Sequence, residues 1–326
     1  MIYDRYYYSC LTQEQKQIYK LIYGGLQSFR RQIAIPRSGN ADIYKIISAI
    51  NFDNPHLFFV CFEKVRVSES QKECIYYPEY YFSKPKATQL WSVVQGKARA
   101  ILQQIQGAED YEKEVCLHDL LVQNIAYDEK AKSDLSRMPY SSTILGVLLQ
   151  KLALCEGIAK AVKLLLNCLG IKCLIAQGNL QAEKQNGHAW NIVKLYGKSV
   201  HLDVTNDLDL QGKGNVHHTF LNLTDAQIEK THTMQMQYPV CMAEEYDYFI
   251  RNNLSVADKK DLERVLLDAY RNKARCAEFR LDSSWMIDEK TVMRSAMQTL
   301  LRHTALRAVR IMCCMNKEQG VVVLRW

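Results

Sequence analysis

The stretch LALCEGIAKAVKLLL, residues 152–166, decides the fold expected of this 326-residue chain. It starts like a core strand, is interrupted by Cys155-Glu156-Gly157 and continues as an amphipathic helix. Apolar residues recur at the spacing of one helical face, namely Ile158, Ala161, Val162, Leu165, Leu166 and Leu169. The polar residues Lys160, Lys163 and Asn167 fall on the other side. The pattern predicts a helix with one buried face and a thiol at its beginning.

The place of Cys155 at the head of this helix suggests a chemical role. A helix N-terminus presents unpaired N–H groups and a partial positive charge, which favour a thiolate over a thiol. We therefore expect Cys155 to act as a nucleophile, with its own backbone N–H in the oxyanion hole. A packed core cysteine is the alternative that this residue, taken alone, leaves open.

Three strand-like runs follow the helix, which Gly170 is expected to end. They are IKCLIAQG (171–178), HAWNIVKL (188–195) and VHLDVT (200–205). A polar loop is expected at 181–187. The last two runs flank Tyr196-Gly197-Lys198-Ser199, which is typical of a hairpin turn.

The register of that hairpin decides whether His188 and Asp203 can meet. With Tyr196-Gly197 at the centre of the turn, His188 faces Thr205, and Asp203 is its diagonal neighbour on the same face. Such neighbours lie roughly 7–8 Å apart at Cα, within reach of an imidazole and a carboxylate. A turn centred one residue later would place Asp203 opposite Ile192, beyond contact with His188. The first register predicts a hydrogen bond between the two side chains.

These three residue types form a working catalytic set. A thiolate attacks, a histidine exchanges the proton with the leaving group, and a carboxylate holds the imidazole and stabilises its cation. The candidate catalytic residues are therefore Cys155, His188 and Asp203. A strand histidine with a purely structural role is the alternative for His188.

The same residues carry a family resemblance. ALCEGIAKAVKLLLNCLGIKC, HAWNIV and HLDVTND resemble, in order, the three motifs of the transglutaminase-like superfamily. Intervals of 33 and 15 residues separate Cys155 from His188 and His188 from Asp203. The resemblance covers residues from about 110 to 235, and it includes the helical stretch CLHDLLVQNIAYD (116–128).

The resemblance implies an α+β fold: a papain-like transglutaminase core, in which the Cys-bearing helix packs on an antiparallel sheet. It assigns the nucleophile, base and orienting acid to the three residues above, and substrate binding to Trp190 and Asn191, for which ordinary strand packing is the alternative. The sequence departs from the family pattern at Ile158, where an aromatic residue is common, and at Asn206, where tryptophan is usual.

Three segments are expected along the chain: an N-terminal α+β segment (1–85), the catalytic core (86–238) and a C-terminal α+β segment (239–326). The first has helical patterns at 12–32 and 41–51 and β-rich runs at 57–67 and 74–82, and the core opens with two helices between 86 and 127, split near Gly107. The third segment has helical patterns at 244–252, 256–272 and 289–302, a strand at 277–281 and a hairpin formed by 308–315 and 321–326.

Composition restricts the partners. The chain is 48% hydrophobic and has a net charge of +7 from interspersed charges, whose longest basic clusters are short, as at Phe29-Arg30-Arg31. A nucleic-acid partner is not expected, because a phosphate footprint needs basic residues gathered on one face. No apolar run approaches the ~20 residues of a membrane-spanning helix, so no membrane partner is expected either.

The cysteines and the N-terminus favour a cytoplasmic protein. MIYDRYYYSC lacks the features of a signal peptide. The eleven cysteines include no CxxC pair and are expected to be mostly reduced and buried. Four of them, at 168, 173, 313 and 314, are expected to be structural or incidental.

Histidines that follow His188 raise the question of a metal. His201, His217, His218 and His232 are close in sequence to the catalytic set, but HExxH and paired CxxC spacings are absent from the sequence. Neither a metal nor another cofactor is expected. We interpret His217 and His218 as solvated loop residues, and His201 as facing the same side as Asp203, where it could line the cleft.

Two functional hypotheses follow. In the first, the protein is an acyl-transfer enzyme that acts on peptide or isopeptide amide bonds of a protein or peptide substrate. Water or an amine can resolve its thioester; by the resemblance to bacterial-type relatives hydrolysis is favoured, and a calcium-activated crosslinker is less expected because no calcium-binding loop is recognisable. In the second, the protein is a catalytically silent peptide-binding module on the same fold.

Overall fold

The computed structural model describes residues 4–36, 42–69, 73–182, 187–208, 216–305, 307–308 and 310–326. Residue 41, at the predicted start of the second helix, and residues 183–186 of the predicted polar loop lie outside these ranges, as does residue 309 of the predicted terminal hairpin. Within them, none of the helices has the length and apolarity needed to cross a bilayer.

The first segment is built from short elements. The helices are α1 (Tyr6–Ser9), α2 (Gln13–Gln27) and α3 (Ile43–Asp53), and the strands are β1 (Ile33–Pro36), β2 (Val60–Cys61), β3 (Val67–Glu69), β4 (Glu73–Tyr76) and β5 (Glu79–Tyr80). Thr12 and Gln15 form a capping box that starts α2. The prediction of a helix to residue 32 was wrong, because Phe29 has a φ of 56° and the chain then enters β1.

The middle segment contains the largest sheet. Its helices are α4 (Lys84–Leu102), α5 (Asp110–Asn124), α6 (Met138–Ser141), α7 (Cys155–Cys168), α8 (Val204–Asp207) and α9 (Asp225–Ile228). Its strands are β6 (Ala126–Tyr127), β7 (Leu152–Ala153), β8 (Lys172–Leu180), β9 (Gly187–Leu195), β10 (Lys198–Leu202), β11 (Leu221–Leu223) and β12 (His232–Met234). The sheet order is β11-β10-β9-β8-β12, with antiparallel neighbours throughout.

The third segment has a mixed sheet covered by two helices. Its helices are α10 (Tyr248–Arg251), α11 (Lys259–Arg271) and α12 (Glu289–His303), and its strands are β13 (Ser255–Val256), β14 (Cys276–Leu281), β15 (Met312–Asn316) and β16 (Val321–Arg325). The order is β13-β14-β16-β15. The predicted helix at 244–252 is instead a 3-10 turn followed by α10.

Helix α7 packs against β8 and β9, so the predicted α+β papain-like core is confirmed. The prediction that α7 has only one buried face was wrong. Lys163 is fully buried and donates hydrogen bonds to the backbone carbonyls of Asp4 and Cys173, both at 2.6 Å. Asn167 accepts from the Asp4 N–H at 2.8 Å. The first segment therefore covers the polar side of α7.

The clusters of buried apolar residues coincide only partly with the three predicted segments. The cluster of the third segment contains only its own residues, such as Phe279 and Val322. The cluster of the first segment also includes Ala159, Ile175 and Ala189 from the middle one. The division into 1–85, 86–238 and 239–326 stays a prediction.

Candidate active site

Helix α7 begins at Cys155, directly after Leu154 in extended conformation. The Leu154 N–H donates to the Ser141 carbonyl at 2.9 Å, and this bond fixes the approach of the chain to the helix. Gly157 is required here, because a Cβ at this position would lie 2.3 Å from the Ser141 carbonyl oxygen. The thiol of Cys155 is half-buried at the first turn, where the helix field is strongest.

The hairpin has the predicted register, with Lys198 opposite Leu195 and Leu202 opposite Asn191. Tyr196 and Gly197 both have positive φ, 47° and 90°, as a two-residue turn of this type requires. Strand β10 ends at Leu202, however, so Thr205 lies in α8 and does not pair with His188 as a strand residue. The predicted strand 200–205 was therefore too long.

His188 and Asp203 meet as the register predicts. The Nε2 of His188 donates to Oδ2 of Asp203 at 2.7 Å, and both side chains are buried. Asp203 is also the N-cap of α8, and its Oδ1 accepts from the backbone N–H groups of Thr205 at 3.0 Å and Asn206 at 3.3 Å. The carboxylate is thus held from two directions.

Two further side chains donate to the same oxygen of Asp203. Asn206 Nδ2 lies 2.8 Å from Oδ2, and His232 Nε2 lies 3.0 Å from it. The His232 ring is buried, and its Nδ1 is 2.8 Å from the Thr231 hydroxyl. Sequence reasoning missed His232 as a partner of Asp203, because it stands 29 residues away on β12, at one edge of the sheet.

The charges of this cluster reinforce each other. Burial alone would lower the pKa of His188, but the Asp203 charge, the hydrogen bond to Asp203 and the interaction with the Cys155 thiol raise it to about 10. Burial alone would raise the pKa of Asp203, but the charge and hydrogen bonds of His188 and the hydrogen bond of His232 hold it well below its usual range. The raised pKa of His188 and the lowered pKa of Asp203 favour an imidazolium paired with an ionised carboxylate.

A pocket of about 600 Å³ opens over the cluster. Cys155, His188 and Asn206 line one part of it, and Tyr127, Glu129 and Lys132 line another. The thiol and the imidazole therefore face a space large enough for a peptide side chain and its amide.

Trp190 and Asn191 are buried behind the imidazole, and the described lining of the pocket does not include them. The Trp190 ring stacks on His188, with 5.9 Å between ring centroids. Asn191 Nδ2 donates to the Ala159 carbonyl at 3.0 Å and so joins β9 to α7. That these two residues bind substrate stays a prediction.

The structure places three other histidines, and the expectation that His218 is a solvated loop residue was wrong. His201 is fully buried between Trp190 and Asp225. The Trp190 indole N–H donates to His201 Nδ1 at 3.0 Å, and Asp225 Oδ1 lies 2.8 Å from His201 Nε2. Among the described residues that line the pocket, His201 is not included. His218 is buried rather than solvated, and His217 is half-buried. Both approach Glu278 of the third segment, which the sequence pattern does not reveal.

Three groups of side chains in the described ranges have the spacing of metal ligands. They are His188-Asp203-His232, His201-Asp225-Cys241 and His118-Asp119-His218. In the first group, Asp203 accepts from both imidazoles, and His188 also interacts with the Cys155 thiol, which suits proton transfer.

Comparison with known proteins gives one family match. A family model described as the transglutaminase-like superfamily matches residues 99–204, about a third of the chain. No curated protein has a significant sequence match to the chain.

Two solved structures are similar at low identity. One is a TGase crystal structure, with 14% identity, 57% of this chain and 52% of that chain covered and a TM-score of 0.33. The other is a candidate cysteine protease from Cytophaga hutchinsonii, with 10% identity, 46% and 64% covered and a TM-score of 0.28. The chain thus spans about half to two thirds of the length of these structures. The family match to residues 99–204 includes Cys155, His188 and Asp203, and this part of the chain is similar to the transglutaminase-like superfamily.

Proposed function

We propose that the protein is a thiol-dependent acyl-transfer enzyme that hydrolyses peptide or isopeptide amide bonds through Cys155, His188 and Asp203. The observation that carries this proposal is a continuous set of contacts. The thiol at the start of α7 interacts with His188, whose Nε2 donates to the buried Asp203 at the wall of an open pocket.

The geometry supports a two-step reaction. The Cys155 sulfur attacks the amide carbonyl, and the His188 imidazolium protonates the departing amine, which leaves a thioester. His188 then removes a proton from water as it attacks the thioester, and the acid and free thiol are formed. Asp203 keeps its charge throughout and stabilises the imidazolium.

The polar pocket wall favours water as the second nucleophile. Glu129 and Lys132 form an ion pair of 2.9 Å at the wall, and Glu156 borders the thiol on the other side. Charged groups keep a site hydrated, so a thioester on Cys155 would stand next to water. In this proposal Trp190 and Asn191 are positioning residues. Trp190 stacks on the His188 imidazole and Asn191 joins β9 to α7, and neither is among the described residues that line the pocket.

The same helix offers a matched control for thiol reactivity. Cys168 ends α7 where Cys155 begins it, and both are half-buried. Burial raises the pKa of Cys168. We expect iodoacetamide at pH 7 to alkylate Cys155 at least about tenfold faster than Cys168, measured by mass spectrometry of tryptic peptides over time. Equal rates at the two ends would favour the silent peptide-binding module.

Turnover is the direct test. A library of fluorogenic peptide amides should give hydrolysis that Cys155→Ala abolishes, with unchanged far-UV circular dichroism showing that the variant is folded. Hydroxylamine added to the reaction reports the fate of the thioester, because a transamidase would divert most product to the hydroxamate. A majority of free acid at millimolar hydroxylamine would support hydrolysis, and activity retained in Cys155→Ala would refute the proposal.

A further inference from the structure

A second cluster of histidines and carboxylates lies outside the proposed active site. His118 and Asp119 belong to α5, and His218 precedes β11. The Oδ1 of Asp119 lies 2.9 Å from His118 Nδ1 and 3.1 Å from His218 Nε2. Both imidazoles are buried, and their centroids are 5.4 Å apart. Two ring nitrogens therefore lie within hydrogen-bond distance of one carboxylate oxygen.

The outward nitrogens of both rings also face carboxylates. His118 Nε2 lies 3.2 Å from Oδ2 of Asp207, and His218 Nδ1 lies 2.6 Å from Oε2 of Glu278. The Asp207 carboxylate is itself fixed by the Phe220 backbone N–H, 3.0 Å from each oxygen. Carboxylates that orient the far nitrogen of each histidine are the usual outer partners of metal-ligating histidines.

The geometry points to a zinc site, and we propose that Zn²⁺ binds between His118 Nδ1, His218 Nε2 and Asp119 Oδ1. These ligand atoms lie within 4.8 Å of one another. Imidazole nitrogens and a carboxylate oxygen are ligands that suit zinc, and a bound water would complete a four-coordinate set. Asp207 and Glu278 then accept the remaining N–H of each ring.

An entry path leads to the ligands. The Asp119 side chain is 34% exposed, and it lines a surface cavity of about 530 Å³ together with Cys116, Gln123 and Tyr248. The two imidazoles lie deeper, with the His218 ring stacked on Tyr248 at 3.7 Å between centroids. An ion that enters from this cavity meets Asp119 first and keeps its fourth position open toward water.

The group of His201, Asp225 and Cys241 is less suited to a metal. Trp190 donates its indole N–H to Nδ1 of His201, so His201 carries its proton on Nε2 and donates it to Asp225. Neither nitrogen is then available as a ligand. In the α5 cluster, by contrast, each ring has one nitrogen for the ion and one N–H for an outer carboxylate.

Binding would connect four parts of the chain. The ligands come from α5 and the loop before β11, and the outer carboxylates come from α8 and from β14 of the third segment. Zinc would therefore stabilise the docking of the third segment on the catalytic core. It would also fix the far end of α8, the helix that Asp203 caps.

The test uses the full-length chain with Cys155→Ala, which removes the proposed catalytic thiol as a competing ligand. After treatment with a chelator and dialysis, isothermal titration with ZnCl₂ at pH 7.5 should give one equivalent bound. Asp119→Asn, a partly exposed isosteric change, should weaken this binding at least about tenfold. Glu278→Gln, which alters only an outer partner, should weaken it by about 10–100-fold.

Asp225→Asn in the same background is the matched control, because it alters the group of His201, Asp225 and Cys241. Its zinc affinity should equal that of the parent. Chelation should lower the Tm of the parent and leave the Tm of Asp119→Asn unchanged. Binding with parental affinity in Asp119→Asn and Glu278→Gln, or less than a tenth of an equivalent bound by the parent, would overturn the proposal.

Discussion

Two clusters in this molecule place a pair of imidazoles on one carboxylate oxygen, and they differ in what holds the far side of each ring. In the pocket, Asp203 accepts from His188 and His232. On α5, Asp119 accepts from His118 and His218. The far nitrogen of His232 meets the Thr231 hydroxyl, whereas the far nitrogens of His118 and His218 meet carboxylates.

The difference has a chemical consequence. A hydroxyl can donate as well as accept, so His232 needs only one proton to satisfy both of its nitrogens. An ionised carboxylate only accepts, so a ring between two carboxylates must carry two protons or bind a metal through one nitrogen. His188 has a carboxylate on one side and a thiol on the other, which suits a base that exchanges one proton.

The largest effect is expected from a substitution in the cluster of His188, Asp203 and His232. Asp203→Asn should lower kcat/KM by about 10³–10⁴-fold, because an amide no longer favours the correct imidazole tautomer or stabilises its cation. The measurement is hydrolysis of the best library peptide at pH 7.5. Asp119→Asn should lower kcat/KM less than about tenfold in the same assay. Equal losses in the two variants would show that the clusters do not have separate roles.

A smaller effect is expected when His232 is removed. His232→Ala should lower kcat by about 10–100-fold with KM nearly unchanged, since the Asp203 charge loses one of its buried donors. His232→Gln offers an N–H donor in place of Nε2 and should recover most of the rate. A merely structural role would instead lower the Tm of both variants without this recovery.

The second cluster predicts a pH dependence of stability. Burial would lower the pKa of His218, but Asp119 and Glu278 raise it to about 9, well above the unfolded value of roughly 6.5. In the metal-free protein this stabilisation is complete below about pH 6.5 and is lost as the pH rises through 9.

Urea unfolding at pH 6, 7, 8 and 9 measures this loss, which should be about 3 kcal/mol. His188 contributes over a similar range, because its pKa is also raised. Comparison with His218→Gln isolates the His218 share, since the fall should be smaller in that variant. Added zinc should stabilise the protein more as the pH rises, because binding displaces protons from both rings. Zinc stabilisation that falls with pH would contradict this prediction.

The parts of the site that sequence predicted are those with local signals. Cys155 precedes a helical period, and the positive φ of Tyr196 and Gly197 fixes a register in which Asp203 reaches His188. Both features depend on residues within one or two elements. The same local reasoning found the antiparallel sheet and the Cys-bearing helix.

The parts that sequence did not predict depend on contacts between distant elements. Lys163 is polar and falls on the expected solvent side of α7, yet the backbone of Asp4, 159 residues away, covers it. His218 resembles a loop residue, yet it meets Glu278, 60 residues away, in another segment. Hydrophobic periodicity shows which face of a single helix or strand is apolar, but it does not show which other segment packs on its polar face. It therefore cannot predict that a distant segment will bury that face.

The smallest effect is expected for the Thr231 hydroxyl, the neighbour of His232 that distinguishes this cluster from the one on α5. Thr231→Val removes the hydroxyl beside His232 Nδ1 but keeps the shape of the side chain. The ring remains held by Asp203, so kcat should fall only about two- to threefold. Thr231→Ser keeps the hydroxyl and should restore the rate. A loss as large as that of His232→Ala would mean that the hydroxyl, rather than the imidazole, holds the carboxylate in place.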